Sequence, residues 1–137
     1  MNPVCIGIDA VEVNRFRDLL ERRPTIAQRL FSQCELEYAS RFGDPAERYA
    51  ARFAAKEATM KALGVGIGAF GFREVYVERT SSGAPLLRLE GRAGQLSRER
   101  GVGSWLVSIT HTASIAEAFV IGMSGPDNEA RAQRESV

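Results

Sequence analysis

The sequence is poor in several residue types, and each shortage narrows the class of protein. Only Cys5 and Cys34 are cysteines, and their separation matches no metal-binding spacing, so we expect free thiols in a reducing compartment. No apolar run approaches the roughly 18 residues of a membrane span, and the N-terminus lacks the pattern of a signal peptide. A formal net charge of +1 argues against a broad nucleic-acid surface. These shortages predict a cytoplasmic protein that binds neither membrane nor nucleic acid.

Lysine is scarce as well. Of the 18 basic side chains only Lys56 and Lys61 are lysines, and they lie on either side of Glu57 in the segment AAKEATMKALG. The remaining composition is ordinary, with 45% apolar and 26% charged residues, as in a folded globular protein. A chain of 137 residues is most simply one domain. We expect this domain to span residues 1–123, followed by a polar, flexible tail at 124–137.

The spacing of apolar residues predicts short strands and one long helix. The longest periodic segment, 46–63, is predicted to be a helix that ends at Gly64. Ser32 and Glu35 form the S-x-x-E pattern of a capping box at the start of a shorter helix. Strands are predicted at residues 4–8, 74–78, 86–89, 105–110 and 116–123, and further helices at 11–21, 34–42 and 91–100. The pattern indicates an α+β fold, with one long helix packed on an antiparallel sheet.

Glu57 and Lys61 lie one turn apart on the long helix. At 3.6 residues per turn they share a face with Phe53 and several alanines, whereas Lys56 points elsewhere and is interpreted as a solvated charge. One interpretation of Glu57 and Lys61 is a common surface ion pair, worth about 0.2–0.5 kcal/mol. The other is that the apolar neighbours mark an inward face, where buried charges need a partner. A metal ion with bound phosphates would supply that partner.

A second candidate carboxylate is Asp9, which follows the predicted first strand. It is either a turn or cap residue before the next helix or a metal ligand at the end of the strand. Mg²⁺ usually takes one or two carboxylates and completes its coordination with waters and phosphates, so Asp9 and Glu57 would suffice if the fold brought them together. Their spacing in the sequence does not show whether it does.

The only histidine, His111, follows another predicted strand. A lone histidine in that position is more often structural, but with Thr110 and nearby hydroxyls it could line a phosphate or ribose site. The arginines of the first helix and its exit, among them Arg15, Arg22 and Arg23, form either a solvated face or a docking face for an acidic partner.

Three segments together resemble the holo-acyl-carrier-protein synthase family, the compact group of 4′-phosphopantetheinyl transferases. They are GIDAVEVNRF at residues 7–16, RFAAKEATMKALGVGI at 52–67 and SITHTASIAEAFVI at 108–121. The middle segment is the most specific of the three, and their order and spacing support the match. The resemblance implies transfer of 4′-phosphopantetheine from coenzyme A to a serine of an apo acyl carrier protein, with release of adenosine 3′,5′-bisphosphate, in fatty acid biosynthesis.

The resemblance also implies roles for individual residues. Asp9 and Glu57 are expected to hold Mg²⁺, and Lys61 to bind the pyrophosphate and protonate the leaving group. Glu57, or a water that it orients, is expected to take the serine proton. The expected coenzyme A contacts are Lys61, Gly64, Gly66, Gly68, Thr110 and His111, and the expected carrier-protein contacts are Arg15, Arg22, Arg23 and Phe53. The resemblance further implies a homotrimer with each active site between two protomers.

Two alternatives stay open at this point. A related transferase could serve a polyketide or another specialised carrier protein, and the acidic pattern of the partner would distinguish it. A non-catalytic protein that binds coenzyme A or a carrier protein is the other alternative. The joint presence of Asp9, Glu57 and Lys61 argues against it.

Overall fold

The computed structural model describes residues 1–125. In chain order its elements are β1 (Pro3–Glu12), α1 (Val13–Arg22), α2 (Ile26–Leu30), α3 (Gln33–Ala39), α4 (Ala46–Leu63), β2 (Val75–Arg79), β3 (Pro85–Leu89), α5 (Gly91–Glu99), β4 (Ser104–His111) and β5 (Ile115–Met123). Within this range, no helix has the length and apolar character needed to cross a membrane. The predicted tail lies outside the described residues, apart from residues 124 and 125.

The strands form two antiparallel sheets, which confirms the α+β class. One sheet has three strands in the order β1-β5-β4, and the other is the β2-β3 hairpin. The prediction for β1 was too short, because the strand continues through residue 12 and α1 begins only at Val13. Asp9 therefore lies within β1, where it pairs with Ala118 of β5, rather than at the strand end or at a helix cap.

Helix α4 has the predicted bounds, Ala46–Leu63, and Gly64 follows it in the left-handed conformation with φ 69°. Glycine adopts this conformation without the steric cost that other residues incur, so it ends the helix well. Alanines of α4 contribute to both apolar clusters of the described core, with Ala54 and Ala58 in one and Ala50 in the other. The helix is thus packed on more than one side.

Strand β1 contacts α4 backbone to backbone at Gly7. A Cβ atom added to Gly7 would lie 1.9 Å from the carbonyl oxygen of Ala58, closer than any side-chain carbon can approach. Glycine at this position lets the strand lie directly against the helix. Since Asp9 is two residues further along the same strand, its side chain reaches the helical turn that carries Glu57 and Lys61.

The other face of the three-stranded sheet is apolar and exposed. The short apolar run at residues 4–8 is typical of a buried strand, but Ile6 and Ile8 are 61% and 58% exposed in this chain. Both residues pair across the sheet with apolar residues of β5, Ile6 with Ile121 and Ile8 with Phe119, and paired residues share a face. A continuous exposed patch of this kind is typical of a surface that another molecule covers.

Candidate active site

The structure brings Asp9, Glu57 and Lys61 together in one chain. The Lys61 ammonium donates to Asp9 Oδ1 at 2.8 Å and to the carbonyl oxygen of Ile8 at 3.1 Å. Both acceptors belong to β1, which the Gly7 contact holds against α4. The side chain of Asp9 is 11% exposed and that of Lys61 is 59% exposed. The cluster therefore has a sheltered carboxylate at its base and an accessible ammonium at its edge.

The two carboxylates influence each other's ionisation. Burial raises the pKa of Glu57 to about 7, and sharing of its proton with Asp9 and the negative charge of Asp9 act in the same direction. Lys61 opposes these effects with its positive charge. The hydrogen bond to Asp9 in turn raises the pKa of Lys61 and keeps it protonated. At neutral pH the cluster therefore lacks enough positive charge to neutralise both carboxylates.

This set of oxygen donors fits a divalent cation. Asp9 Oδ2 is buried and has no hydrogen-bond partner, so its lone pairs are free to bind an ion. Within residues 1–125 no group of three or more histidine, cysteine, aspartate or glutamate side chains has metal-binding geometry. Two carboxylates, with the remaining positions taken by waters and phosphates, is a donor set that suits Mg²⁺.

The prediction that Glu57 and Lys61 lie on the inward face of α4 is wrong. Glu57 is half-buried and Lys61 is exposed, whereas Arg52, Lys56 and Thr59, on other sides of the helix, are buried. Phe53, Glu57 and Lys61, spaced four residues apart, form the least buried stripe of this part of the helix. Alanines occur all around the helix, so the apolar pattern does not mark a single buried face.

Lys56 is fully buried, so the interpretation of this residue as a solvated charge is also wrong. Its ammonium donates to Glu35 Oε1 at 2.7 Å and to the carbonyl oxygens of Phe72, at 3.0 Å, and Val75. Both charged side chains are 0% exposed. Glu35 also accepts the backbone N–H of Ser32 at 3.0 Å, which is half of the predicted capping box. The sequence predicted that cap but not the ion pair.

The glycine-rich loop, residues 64–71, leaves α4 directly beyond Lys61. Gly64 and Gly68 have φ of 69° and 103°, where glycine is strongly favoured, whereas Gly66 does not need this freedom. All three glycines are exposed. The loop therefore presents accessible backbone at the same end of α4 as the Asp9–Glu57–Lys61 cluster.

His111 and Thr110 lie at the opposite end of α4. The Nδ1 atom of His111 is 2.9 Å from Glu47 Oε1, a hydrogen-bond contact that no sequence pattern predicted. Glu47 is in the first turn of the helix, ten residues before Glu57, which corresponds to about 15 Å of helical rise. A single chain therefore does not bring His111 to the two carboxylates.

The residues expected to bind the carrier protein lie around α1. Arg15 is exposed on this helix, as are Arg22 and Arg23 at its end. Phe53 of α4 is half-buried, and its ring lies between Phe16 and Phe72 at centroid distances of 5.3 and 5.5 Å. Because Phe16 follows Arg15, α1 places basic charge beside this row of aromatic rings.

Three surface cavities of about 640, 440 and 520 Å³ occur among the described residues, and all three are lined by the β2-β3 hairpin together with α3 or α5. None of these three is lined by Asp9, Glu57 or Lys61. The Lys61 side chain of the cluster is 59% exposed, so the cluster opens to the surface.

Known proteins resemble this chain over most of its length. A holo-[acyl-carrier-protein] synthase from Moorella thermoacetica is 40% identical over 115 residues, which cover 84% of this chain and 90% of the relative. One from Streptomyces coelicolor is 45% identical over 122 residues, or 88% and 98% of the two chains. The crystal structure of the Helicobacter pylori holo-[acyl-carrier-protein] synthase in complex with coenzyme A is similar with a TM-score of 0.76 and 31% identity, covering 86% and 99% of the two chains. The family model of the 4′-phosphopantetheinyl transferase superfamily matches residues 5–118, and the chain belongs to this family.

Proposed function

We propose that this protein transfers 4′-phosphopantetheine from coenzyme A to a serine of an apo acyl carrier protein. The products are the holo carrier protein and adenosine 3′,5′-bisphosphate, and the reaction serves fatty acid biosynthesis. The observation that carries the proposal is the Asp9–Glu57–Lys61 cluster, which combines two carboxylates with an accessible ammonium. Relatives named holo-[acyl-carrier-protein] synthase support it. The cytoplasm is the proposed compartment.

Asp9 and Glu57 would hold Mg²⁺. When bound, the ion neutralises negative charge on the pyrophosphate of coenzyme A. In the reaction the serine Oγ forms a bond to the phosphorus next to pantetheine, and the bond from that phosphorus to the leaving bisphosphate breaks. Glu57, whose pKa lies near neutral pH without the ion, is placed to take the serine proton.

Lys61 would act on the leaving group. Its ammonium donates two N–H groups to acceptors on β1 and has a third N–H free, and its side chain is 59% exposed. Asp9 and the Ile8 carbonyl fix the ammonium in place, so a phosphate oxygen can bind without ordering a flexible lysine. Charge that develops on the departing bisphosphate would be neutralised by this ammonium.

We propose that coenzyme A binds across two chains of a homotrimer. Gly64, Gly66 and Gly68 would contact it at the cluster, and Thr110 and His111 of a second chain would contact its phosphates. His111 contacts Glu47, which is about 15 Å of helical rise from Glu57 along α4, and this supports the division. The exposed apolar face of the three-stranded sheet supports self-association.

The carrier protein would dock on α1, where Arg15, Arg22 and Arg23 meet acidic side chains and Phe53 contributes apolar contact. Reversal of one charge, Arg15→Glu, is expected to raise the KM for the carrier at least about tenfold at low salt, and less at high salt, because exposed charge pairs are screened. Arg98→Glu on α5, which is exposed and away from α1, is the matched control. Equal effects of the two variants would contradict the docking assignment.

The test of the function is direct. The protein is incubated with coenzyme A, Mg²⁺ and several apo carrier proteins of fatty acid and polyketide synthesis, and each carrier is examined by intact mass spectrometry. A mass gain of one phosphopantetheine is expected, lost when the acceptor serine is replaced by alanine or when Mg²⁺ is removed with EDTA. If no carrier gains this mass, the proposed function is wrong. The relative rates on the carriers show which class of carrier the enzyme serves.

A further inference from the structure

The buried Lys56–Glu35 pair connects four segments of the chain. Lys56 belongs to α4, Glu35 to α3, and the remaining bonds reach the short 3₁₀ turn Phe72–Glu74 and β2. All three protons of the Lys56 ammonium have acceptors, namely Glu35 Oε1, the Phe72 carbonyl and the Val75 carbonyl. On the other side of the pair, Glu35 Oε2 accepts the backbone N–H of Val77 at 3.1 Å. The network is closed and excludes water.

A buried ion pair of this kind contributes little to the stability of the fold. Burial strips both charges of their hydration and lowers the pKa of Lys56, while the charge of Glu35 acts against that shift. Replacement of such pairs by apolar residues of similar size is often neutral or stabilising. The bonds of Lys56 to two backbone carbonyls are specific in direction and position, which apolar side chains would not reproduce.

One of those carbonyls, that of Phe72, directly follows the glycine-rich loop, and the other belongs to the first residue of β2. At the start of the loop, the backbone N–H of Gly64 and that of Val65 bond to the last turn of α4, at Lys61 and Met60. At its end, Lys56 holds the Phe72 carbonyl against the turn of α4 that carries Glu57. Between these two anchors the loop has four glycines and the exposed Ile67, while Phe70, near its far end, is buried in the core. The anchor at Lys56 acts together with Phe70 to limit where the loop can lie.

We propose that Lys56 is a positioning residue, which sets the glycine-rich loop against the Asp9–Glu57–Lys61 cluster for the binding of coenzyme A. The inference rests on the proposed function in that it assigns coenzyme A to this loop. Lys56 itself touches neither substrate nor ion. The same bond fixes Phe72, whose ring stacks on Phe53. Loss of the ammonium removes one of the contacts that hold the far end of the loop, beside those of Phe70 and Gly71, and leaves Asp9, Glu57 and Lys61 in place.

The test compares Lys56→Met with Thr59→Val. Thr59 is equally buried on α4, but its hydroxyl bonds only to the Ala55 carbonyl of the same helix, at 2.8 Å. Because an unpaired Glu35 can prevent folding, Glu35→Gln/Lys56→Met is prepared as well, which leaves no buried charge. Both Lys56 variants are expected to raise the KM for coenzyme A at least about tenfold, with the KM for the carrier protein changed less than about twofold. Thr59→Val is expected to change neither KM.

A merely structural role would give a different result. It would lower the fraction of folded enzyme and hence the apparent kcat, with both KM values unchanged. Hydrogen exchange provides a second readout that needs no turnover. Amides of residues 65–72 are expected to exchange at least about tenfold faster in the folded double variant, while those of α1 keep the wild-type rate. Two results would overturn the inference. One is faster exchange throughout the double variant, and the other is an unchanged KM for coenzyme A in the Lys56 variants when the wild type transfers phosphopantetheine. If the wild type loads no carrier but the double variant still shows faster exchange at residues 65–72, the proposed function is refuted and the positioning of the loop by Lys56 is supported.

Discussion

The raised pKa of Glu57 predicts a pH-dependent loss of stability that Glu57→Gln removes. The pKa moves from 4.5 in the unfolded chain to about 7 in the folded one, so the folded state holds a proton that the unfolded state releases. Between these two values stability falls as pH rises, and above them the whole penalty is present. At 1.36 kcal/mol per pKa unit the full penalty would be about 3.4 kcal/mol. Because Glu57 is only half-buried and solvent screens its charge, we expect about 1 kcal/mol.

Urea unfolding in the presence of EDTA, at fixed protein concentration and at several pH values between about 5 and 8, measures this effect. The amide side chain of the Glu57→Gln variant cannot ionise, so the difference in unfolding free energy between variant and wild type should grow by about 1 kcal/mol across this range. Subtracting the variant's curve of unfolding free energy against pH from that of wild type cancels the contributions of the other titratable groups. Millimolar Mg²⁺ should restore the stability of wild type at about pH 8 and have little effect on Glu57→Gln. Parallel curves for the two proteins would refute the assigned electrostatics, and equal Mg²⁺ effects would refute the ion site.

Three further changes test the scaffold, the chemistry and the assembly. Gly7→Ala should destabilise the protein by about 1–3 kcal/mol in urea unfolding, because its Cβ would overlap the Ala58 carbonyl. Gly43→Ala, which has open space at its Cβ position, should be nearly neutral, and equal losses would contradict the close contact. Lys61→Ala should lower kcat roughly a hundredfold with little change in the KM for the carrier, since it removes charge stabilisation of the leaving group. A change confined to the carrier KM would argue against that role. Ile6→Asp should reduce the oligomer in analytical ultracentrifugation, because it places a charge in the apolar sheet face. An unchanged sedimentation profile would show that this face is not the interface.

The sequence predicted the helices and strands better than the tertiary contacts that they make. The bounds of α4 followed from an uninterrupted periodic segment and a terminal glycine, both of which are local signals. The length of β1 did not follow from local signals, because pairing with β5 extends the strand through Asp9 to Glu12. A tertiary contact thus decided whether Asp9 was a cap residue or a strand residue, and no local pattern records it.

The site was predictable in its residue types but not in its burial. Two motifs singled out Asp9, Glu57 and Lys61, yet the reasoning from helical periodicity placed Glu57 inward and Lys56 outward, whereas Glu57 is half-buried and Lys56 is fully buried. Alanine fits equally well beside strand, helix and solvent, so a helix rich in alanine gives little information on its buried face. The one signal for Lys56 was its rarity, since a chain that uses arginine elsewhere has lysine at only two positions.

The backbone contact between Gly7 and Ala58 affects which amino-acid substitutions this protein tolerates without a change in its active site. The spacing of β1 and α4 is set by main-chain atoms, so the separation of the two carboxylates does not depend on the size of any intervening side chain. Core substitutions elsewhere should therefore alter thermal tolerance while the catalytic geometry stays the same. Stability and turnover are in this sense adjustable separately, which makes the fold a suitable scaffold for engineering either property alone.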